Sequence, residues 1–233
     1  MHPATTARSR TGITTILLLA TALLLSAPAG AVTPGQVDDF EDGTTQNWTV
    51  GSPHPEPPVN VPTGGPDGAD DNYLLATASG GNGPGSRLAV RNGIQWAGDY
   101  LAAGVASLEL DLLNLGNVDL DIRLLFEDTS TGSPTHVAVT SWAAHLPAGS
   151  GWTAVSFPIA PADLIPLLGS VEGALENATG LRIFHNPDAG FPPPPVVAQL
   201  GIDNIRAPEG PTPVEDSSWG RVKSLFRQRD AGR

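Results

Sequence analysis

The stretch "VDLDIRLLFED", residues 118–128, is the clearest indication of the fold class. Apolar and polar side chains alternate along it with a period of two. One set is Leu120, Ile122, Leu124 and Phe126, and the other is Asp119, Asp121, Arg123 and Glu127. Successive side chains of a strand point to opposite faces, so this pattern predicts a strand with one buried face.

Similar short apolar segments continue in both directions and are separated by turn residues, among the chain's 27 glycines and 23 prolines. This punctuation is typical of an all-β domain. The predicted strands are 36–40, 73–79, 86–92, 105–115, 118–128, 136–142, 152–159, 181–186 and 198–207. We therefore predict a two-sheet antiparallel β-sandwich (jelly roll). It has one short helical insertion at 161–178 and a long polar loop at 51–72. An α/β fold would need repeated strand–helix units, whereas the sequence shows only one helical segment.

The two ends of the chain differ in character from this region. Arg8 and Arg10, the apolar run 13–25 and the small residues 29–31 predict a secretory signal peptide over 1–31. An uncleaved membrane anchor is the alternative, and no later stretch is apolar enough to span a membrane. The remaining predicted units are a sandwich domain (32–207), a proline-rich acidic linker (208–217) and a basic amphipathic tail (218–233). The tail either stays frayed or contacts the cell envelope or a partner protein.

The composition excludes several kinds of function. The chain has no cysteine, which rules out thiol nucleophiles and thiolate metal sites. Residues 32–207 hold five arginines, no lysine and twenty acidic residues, a net charge of −15. Such a domain repels phosphate backbones, so we expect no nucleic-acid partner. We expect a secreted protein, extracellular or in the cell envelope. Its acidic surface suits cations or neutral sugars as ligands. The alternative explanation of the acidic charge is that it serves solubility alone.

An acidic cluster near the start of the domain suggests a metal site. In "DDFED" (38–42) Phe40 is predicted to pack inward, which places Glu41 at the sheet margin next to a turn at Gly43. Asp203 lies within the apolar last strand, where an acid is costly unless it is paired or coordinated. Carboxylates and carbonyls are the ligands that Ca²⁺ prefers. We predict Glu41, Gly43, Asp71 and Asp203 as ligands, with Asp67 and Asp70 of the same loop as further candidate oxygens. Simple capping of turns by these acids is the alternative.

"DDFEDGTTQNW" and "GIDNI" resemble the two ends of the galactose-binding-like jelly roll, which many carbohydrate-binding modules and secreted bacterial proteins use. The resemblance covers 37–207 in layout. It implies that the first and last strands lie side by side. It also implies that Glu41 and Asp203 share a structural calcium, and that a polysaccharide or glycan is a possible ligand.

A sugar-binding face needs aromatic rings flanked by hydrogen-bonding side chains. The candidates are Arg91, Trp96, Tyr100, Arg123, Trp142 and His185. Packing in the core or at its rim is the alternative for Trp48, Trp96 and Trp152.

We predict no enzyme, because the sequence carries no G-x-S-x-G or H-E-x-x-H motif. The leading hypothesis is a secreted, non-catalytic β-sandwich that contains a structural calcium ion and binds carbohydrate. The alternatives are a surface-display protein without a small ligand and a glycoside hydrolase or lyase.

Overall fold

The computed structural model describes residues 31–210, which form twelve strands and two short helices. The strands are β1 (Val37–Asp38), β2 (Val59–Val61), β3 (Tyr73–Ser79), β4 (Ala89–Asn92), β5 (Ser107–Asn114), β6 (Leu120–Asp128), β7 (His136–Thr140), β8 (Ala144–Leu146), β9 (Thr153–Pro158), β10 (Leu164–Leu168), β11 (Gly180–His185) and β12 (Val197–Arg206). The helices are α1 (Tyr100–Ala103) and α2 (Val171–Glu176).

The strands form two antiparallel sheets of six. In the first sheet the order is β2-β3-β12-β5-β9, with β1 also paired to β12. In the second sheet the order is β10-β7-β6-β11-β4, with β8 also paired to β6. The predicted all-β, two-sheet antiparallel sandwich is confirmed.

The core lies between the two sheets and follows the predicted alternation. Leu120, Ile122, Leu124 and Phe126 of β6 are fully buried, in the same core cluster as Leu108, Leu110 and Leu112 of β5. The outward face of the second sheet is also partly covered. Leu125 and Phe184 are buried there in a smaller cluster, against which Ala189 of the following loop packs.

The predicted short helical insertion is present as helix α2, but it occupies only part of 161–178. The segment contains a 3-10 turn (Pro161–Asp163), strand β10 and only then helix α2, whose start is capped by the Ser170 hydroxyl accepting a hydrogen bond from Gly173 N at 3.1 Å. Strand β10 pairs with β7 at the edge of the second sheet. Proline is tolerated on an edge strand, so Pro166 does not prevent the pairing.

Three short elements were not predicted. Strand β2 lies inside the segment taken as a polar loop and pairs with β3 at a sheet edge. Strand β8 pairs with the start of β6, and helix α1 is a single turn that ends at Gly104. Each is only three or four residues long, too short for its periodicity to stand out in the sequence.

The predicted signal peptide lies outside the described residues apart from Ala31. The predicted basic tail and most of the linker lie outside them as well. Within 31–210, no helix combines the length and apolarity that a membrane crossing requires.

The opening acidic stretch contains a carboxylate that belongs to the core. Asp38 is 4% exposed and accepts hydrogen bonds from the indole nitrogens of Trp48 (2.8 Å) and Trp96 (2.7 Å). The amide of Gln95 adds a third at 3.1 Å. Burial raises the pKa of the Asp38 carboxyl, while these hydrogen bonds lower it. The residue therefore ties the first strand to two buried aromatic side chains.

We predict that Asp38→Ala destabilises the domain strongly. It leaves two buried indole N–H groups without an acceptor, at about 1–3 kcal/mol each. Asp39→Ala, at the adjacent exposed position, is the matched control and is expected to change stability by less than about 0.5 kcal/mol. Urea unfolding followed by tryptophan fluorescence measures both, and equal effects of the two substitutions would contradict the anchoring role.

Candidate functional site

The two ends of the domain meet on the first sheet, as the resemblance implied. Strand β1 pairs antiparallel with β12, with Val37 opposite Arg206 and Asp38 opposite Ile205. After β1 the chain turns sharply at Phe40, which is buried and has a φ of 58°. The turn closes through a hydrogen bond from Gly43 N to the Phe40 carbonyl at 3.1 Å. Glu41 is thereby exposed at the sheet margin.

Four carboxylates gather on this side of the first sheet, and we call Glu41, Asp71, Asp111 and Asp203 the acidic cluster. Asp203 is only 1% exposed and lies directly opposite Asp111 in the pairing of β12 with β5. Like charges in opposed positions of neighbouring strands destabilise a sheet. Asn204 bridges the pair in part: its side-chain amide donates to Asp111 Oδ2 at 3.0 Å and its backbone N–H donates to Asp203 Oδ1 at 2.7 Å.

The electrostatics of the cluster are unfavourable to negative charge. Burial raises the pKa of Asp203 to about 7, and the charges of Asp71, Asp111 and Glu41 add to the rise, while the bond from Asn204 N opposes it. Across residues 31–210, no ion pair involves any member of the cluster. A bound divalent cation would supply the missing positive charge, and these oxygens are of the type that Ca²⁺ prefers.

The side chains of the cluster do not converge on a common centre. Nowhere in the described part of the chain do three or more histidine, aspartate or glutamate side chains stand as a ready metal-binding group. Glu41 Oε1 accepts from Asn72 N at 2.7 Å, and Asp71 Oδ2 accepts from Asp67 N at 2.6 Å. The charge and burial of the acidic cluster therefore fit a cation. Direct coordination would require the Glu41 and Asp71 carboxylates to rotate away from the backbone N–H groups that they now accept from.

The predicted ligand set of Glu41, Gly43, Asp71 and Asp203 omitted Asp111. The sequence does contain an indication of Asp111 as a candidate, because this residue occupies a polar position of the alternating segment 105–115. The pairing of β5 beside β12, which makes the two aspartates neighbours, is a property of the tertiary structure.

Two predicted sugar-binding residues are corrected by the structure. Trp96 and Tyr100 are both 0% exposed. The Trp96 indole donates to Asp38, and the Tyr100 hydroxyl donates to the Trp96 carbonyl at 2.8 Å. Neither ring faces solvent, so neither forms a platform for a sugar. Trp48 is likewise part of the core.

Two further candidates, Arg123 and His185, are also buried and are corrected in the same way. Arg123 is 6% exposed and donates to four backbone carbonyls, those of Thr140, Ser141, Asn186 and Pro187. These bonds fasten the loop after β11 to the end of β7. His185 is 7% exposed, and its Nδ1 accepts from Asp121 N at 3.0 Å. Burial lowers the pKa of both groups.

Arg91, another candidate, lies on the outward face of the second sheet in an ionic group. Its Nε donates to Glu127 Oε1 at 2.7 Å, and Arg182 Nη2 donates to the same oxygen at 2.8 Å. Glu127 is only 5% exposed, and its charge is paired with two guanidinium groups. Arg91 therefore lies on a sheet face away from the buried Trp96 and Tyr100, and this pairing occupies part of its hydrogen-bonding capacity.

Trp142 is the predicted aromatic candidate that remains accessible. Trp142 is 50% exposed. The centroid of its ring lies 5.4 Å from that of the buried Phe157 ring. A groove of about 280 Å³ runs beside it between β8 and β9. We call this the Trp142 groove; its lining is Trp142, Ala144, His145, Leu146 and 153–156.

Polar groups flank the Trp142 groove on the β8 side. The His145 Nδ1 atom lies 3.0 Å from Asp121 Oδ1, and its Nε2 atom lies 3.9 Å from Asp119 Oδ2. Thr153 and Ser156 supply hydroxyl groups on the β9 side. An exposed indole ring with hydrogen-bonding groups nearby is the combination that a carbohydrate requires.

Comparison with known proteins gives similarity in structure only. No family model matches the sequence, and no curated protein is similar to it in sequence. Among solved structures, CtCBM11 in solution superimposes with a TM-score of 0.51 at 15% identity, over 79% of this chain and 100% of that one.

Two other structures are similar to the same extent. A family 11 carbohydrate-binding module from Clostridium thermocellum, in complex with a β-1,3-1,4-mixed-linked tetrasaccharide, has a TM-score of 0.50 and 15% identity over 77% of this chain and 98% of that chain. An exo-β-agarase has a TM-score of 0.51 and 14% identity over 76% of this chain, but only 26% of that one. The protein has the β-sandwich fold of carbohydrate-binding modules.

Proposed function

We propose that this protein is a secreted, non-catalytic carbohydrate-binding domain stabilised by a structural calcium ion. The observation that carries the carbohydrate function is the half-exposed Trp142 ring beside an open groove. The fold is compatible with this function. The predicted signal peptide supports export.

The Trp142 groove suits the surface of a sugar ring. The contact between the Trp142 ring and Phe157 of the core holds the indole in place, so little side-chain entropy is lost on binding. The apolar C–H face of a pyranose would lie against the exposed indole, and its hydroxyls would bond to His145, Thr153 or Ser156. The groove is open on its outer side, which allows a polysaccharide chain to continue past it.

The acidic cluster supports the calcium proposal through its charge. Asp203 is buried opposite a second aspartate, and within 31–210 neither forms an ion pair. Glu41 and Asp71 bring two more charges from the first strand region and the 62–72 loop. A cation here would join β1, β5, β12 and that loop, so its effect would be on stability and not directly on sugar contact.

The absence of catalysis is part of the proposal and has a physical basis. Glycoside hydrolysis by two carboxyl groups uses one whose pKa is raised so that it donates a proton. Burial raises the pKa of the carboxyl groups of Asp38 and Asp203. Both are buried, and Asp38 is held by two indole groups, so neither is placed to reach a polysaccharide.

We predict that the protein is retarded in native gels containing a soluble neutral polysaccharide, with mixed-linked β-glucan as the first probe. Trp142→Ala should weaken the apparent affinity by about tenfold or more, because it removes the aromatic surface. Ile94→Ala is the control, since Ile94 is an exposed apolar residue (58%) elsewhere on the surface. Undiminished retardation of Trp142→Ala would reject this groove. No retardation on a broad panel of polysaccharides would favour the alternative of a surface-display protein.

We predict that calcium raises the melting temperature. A ligand that binds only the folded state stabilises it by about 2.7 kcal/mol at a free concentration 100 times its Kd. Calorimetry with calcium and with excess chelator measures the difference. Asp71→Asn and Asp203→Asn should abolish most of it, while Asp70→Asn, at the exposed neighbouring position, should leave it intact.

The protein without calcium provides a second check on the same site. Asp203→Asn removes a buried charge, so in chelator it should melt at the same temperature as the unmodified protein or higher. Identical melting of the unmodified protein in calcium and in chelator would contradict the calcium site without bearing on the Trp142 groove.

A further inference from the structure

A second cleft lies on the second sheet, away from both the Trp142 groove and the acidic cluster. It is a space of about 180 Å³ between the 82–87 loop and the segment 191–193. We call it the arginine cleft; its lining includes Asn82, Arg87, Ala89, Arg182, Phe191 and Pro193. Strands β4 and β11, adjacent in the second sheet, form its floor.

The arginine cleft is basic in a domain that is otherwise acidic. Three of the five arginines of residues 32–207, Arg87, Arg91 and Arg182, lie in the cleft or next to it, and its lining contains no acidic residue. Glu127 is shared by Arg91 and Arg182. Three guanidinium groups are thus balanced by one carboxylate, and this end of the sheet carries a local positive charge.

Arg87 carries a charge that no carboxylate offsets in the described part of the chain. Its Nε donates to the Asn82 carbonyl at 3.2 Å, and its Nη1 donates to the Pro193 carbonyl. These carbonyl bonds hold the side chain in the lining of the cleft. Because the guanidinium has five N–H donors, it keeps donors for a ligand.

Phe191 supplies an apolar wall next to this charge. It is 42% exposed, and its ring packs edge-on against the buried Phe184 with centroids 5.6 Å apart. The Arg182 guanidinium carbon lies 5.4 Å from the Phe191 centroid, a cation–π distance. The ring is therefore held on two sides and still presents part of its surface to the cleft.

We propose that the arginine cleft is a separate binding site for a negatively charged sugar unit, with the anion bound by Arg87 and the ring packed against Phe191. Guanidinium groups bind carboxylate and sulfate oxygens through parallel N–H bonds, and aromatic rings bind the C–H face of a pyranose. The volume of the cleft is below the range of about 300–1,000 Å³ typical of drug-sized ligands, which fits one sugar unit. The shared chemistry is an anionic sugar, either a uronate or a sulfate ester.

The charge of the rest of the domain limits which ligands bind. A long polyanion extending from the cleft would meet a surface whose net charge is −15 over residues 32–207. Short oligosaccharides, or polymers in which charged units are sparse, avoid this repulsion. A short charged probe is therefore the appropriate ligand for a first test.

The test uses the full chain and isothermal titration calorimetry with trigalacturonic acid. The matched ligand is its fully methyl-esterified form, which has the same rings without the charges. We expect the acid to bind and the ester to bind at least about tenfold more weakly. A sulfated galactan trisaccharide replaces the acid in a further arm, and tighter binding of that probe would assign the site to sulfate esters.

Two variants and one control locate the binding. Arg87→Gln should weaken binding of the acid by about tenfold or more, and Phe191→Ala should weaken it without altering the preference for the acid over the ester. Arg206→Gln is the matched control, because that arginine pairs with Glu109 on the first sheet at 2.6 Å. Melting curves of each variant confirm that it is folded.

The proposal is overturned if the acid and the ester bind equally, if no anionic probe binds, or if Arg87→Gln and Phe191→Ala bind the acid as the unmodified protein does. None of these results affects the Trp142 groove, which is tested with neutral polysaccharide. Conversely, if the two sites are independent, Trp142→Ala loses binding of the neutral polysaccharide and still binds trigalacturonic acid as the unmodified protein does.

Discussion

The pairing of the first and last strands is the constraint on which the rest of the structure depends. Strand β12 has β1, β3 and β5 as partners, so three distant parts of the chain are held to one central strand. On the inner side, Asp38 of β1 receives two indole N–H groups and connects this pairing to the core. On the outer side, the same pairing brings the exposed Glu41 towards Asp203. Structural anchoring and the proposed cation site thus follow from one strand arrangement.

Two sites on the outward surfaces of the sandwich, the acidic cluster and the arginine cleft, carry opposite local charge although the domain as a whole is acidic. The first sheet holds the acidic cluster, where burial and mutual repulsion disfavour the charged state of Asp203. The second sheet holds Arg91, Glu127 and Arg182 as one ionic group, with Arg87 beside it. The net charge of −15 for residues 32–207 does not describe the arginine cleft. Separate ligand chemistries are proposed for the two sites because electrostatic interactions at contact distance depend on local charges.

The aromatic residues show most clearly where sequence-based inference reached its limit. Trp96, Tyr100 and Trp142 were all candidates from the sequence, with core packing as the alternative for Trp96. In the structure the first two are 0% exposed and Trp142 is 50% exposed. The difference comes from the hydrogen-bond acceptors that the fold supplies: Asp38 accepts from the Trp96 indole, and the Trp96 carbonyl accepts from the Tyr100 hydroxyl. An aromatic ring with a polar handle is stable in the core when such a partner exists, and the partner of Trp96 is 58 positions away.

The sequence by itself determined the class of fold and most of its strands, because alternation and turn residues act over neighbouring positions. It also identified Phe40 as buried and singled out Asp203 as an acid in an apolar strand. Only the tertiary structure decided that residues 164–168 form an edge strand, that Asp111 faces Asp203, and that Arg123 is bonded to four carbonyls. These outcomes depend on which strands become neighbours. Strand pairing joins residues far apart in the chain, so local pattern carries little information about it.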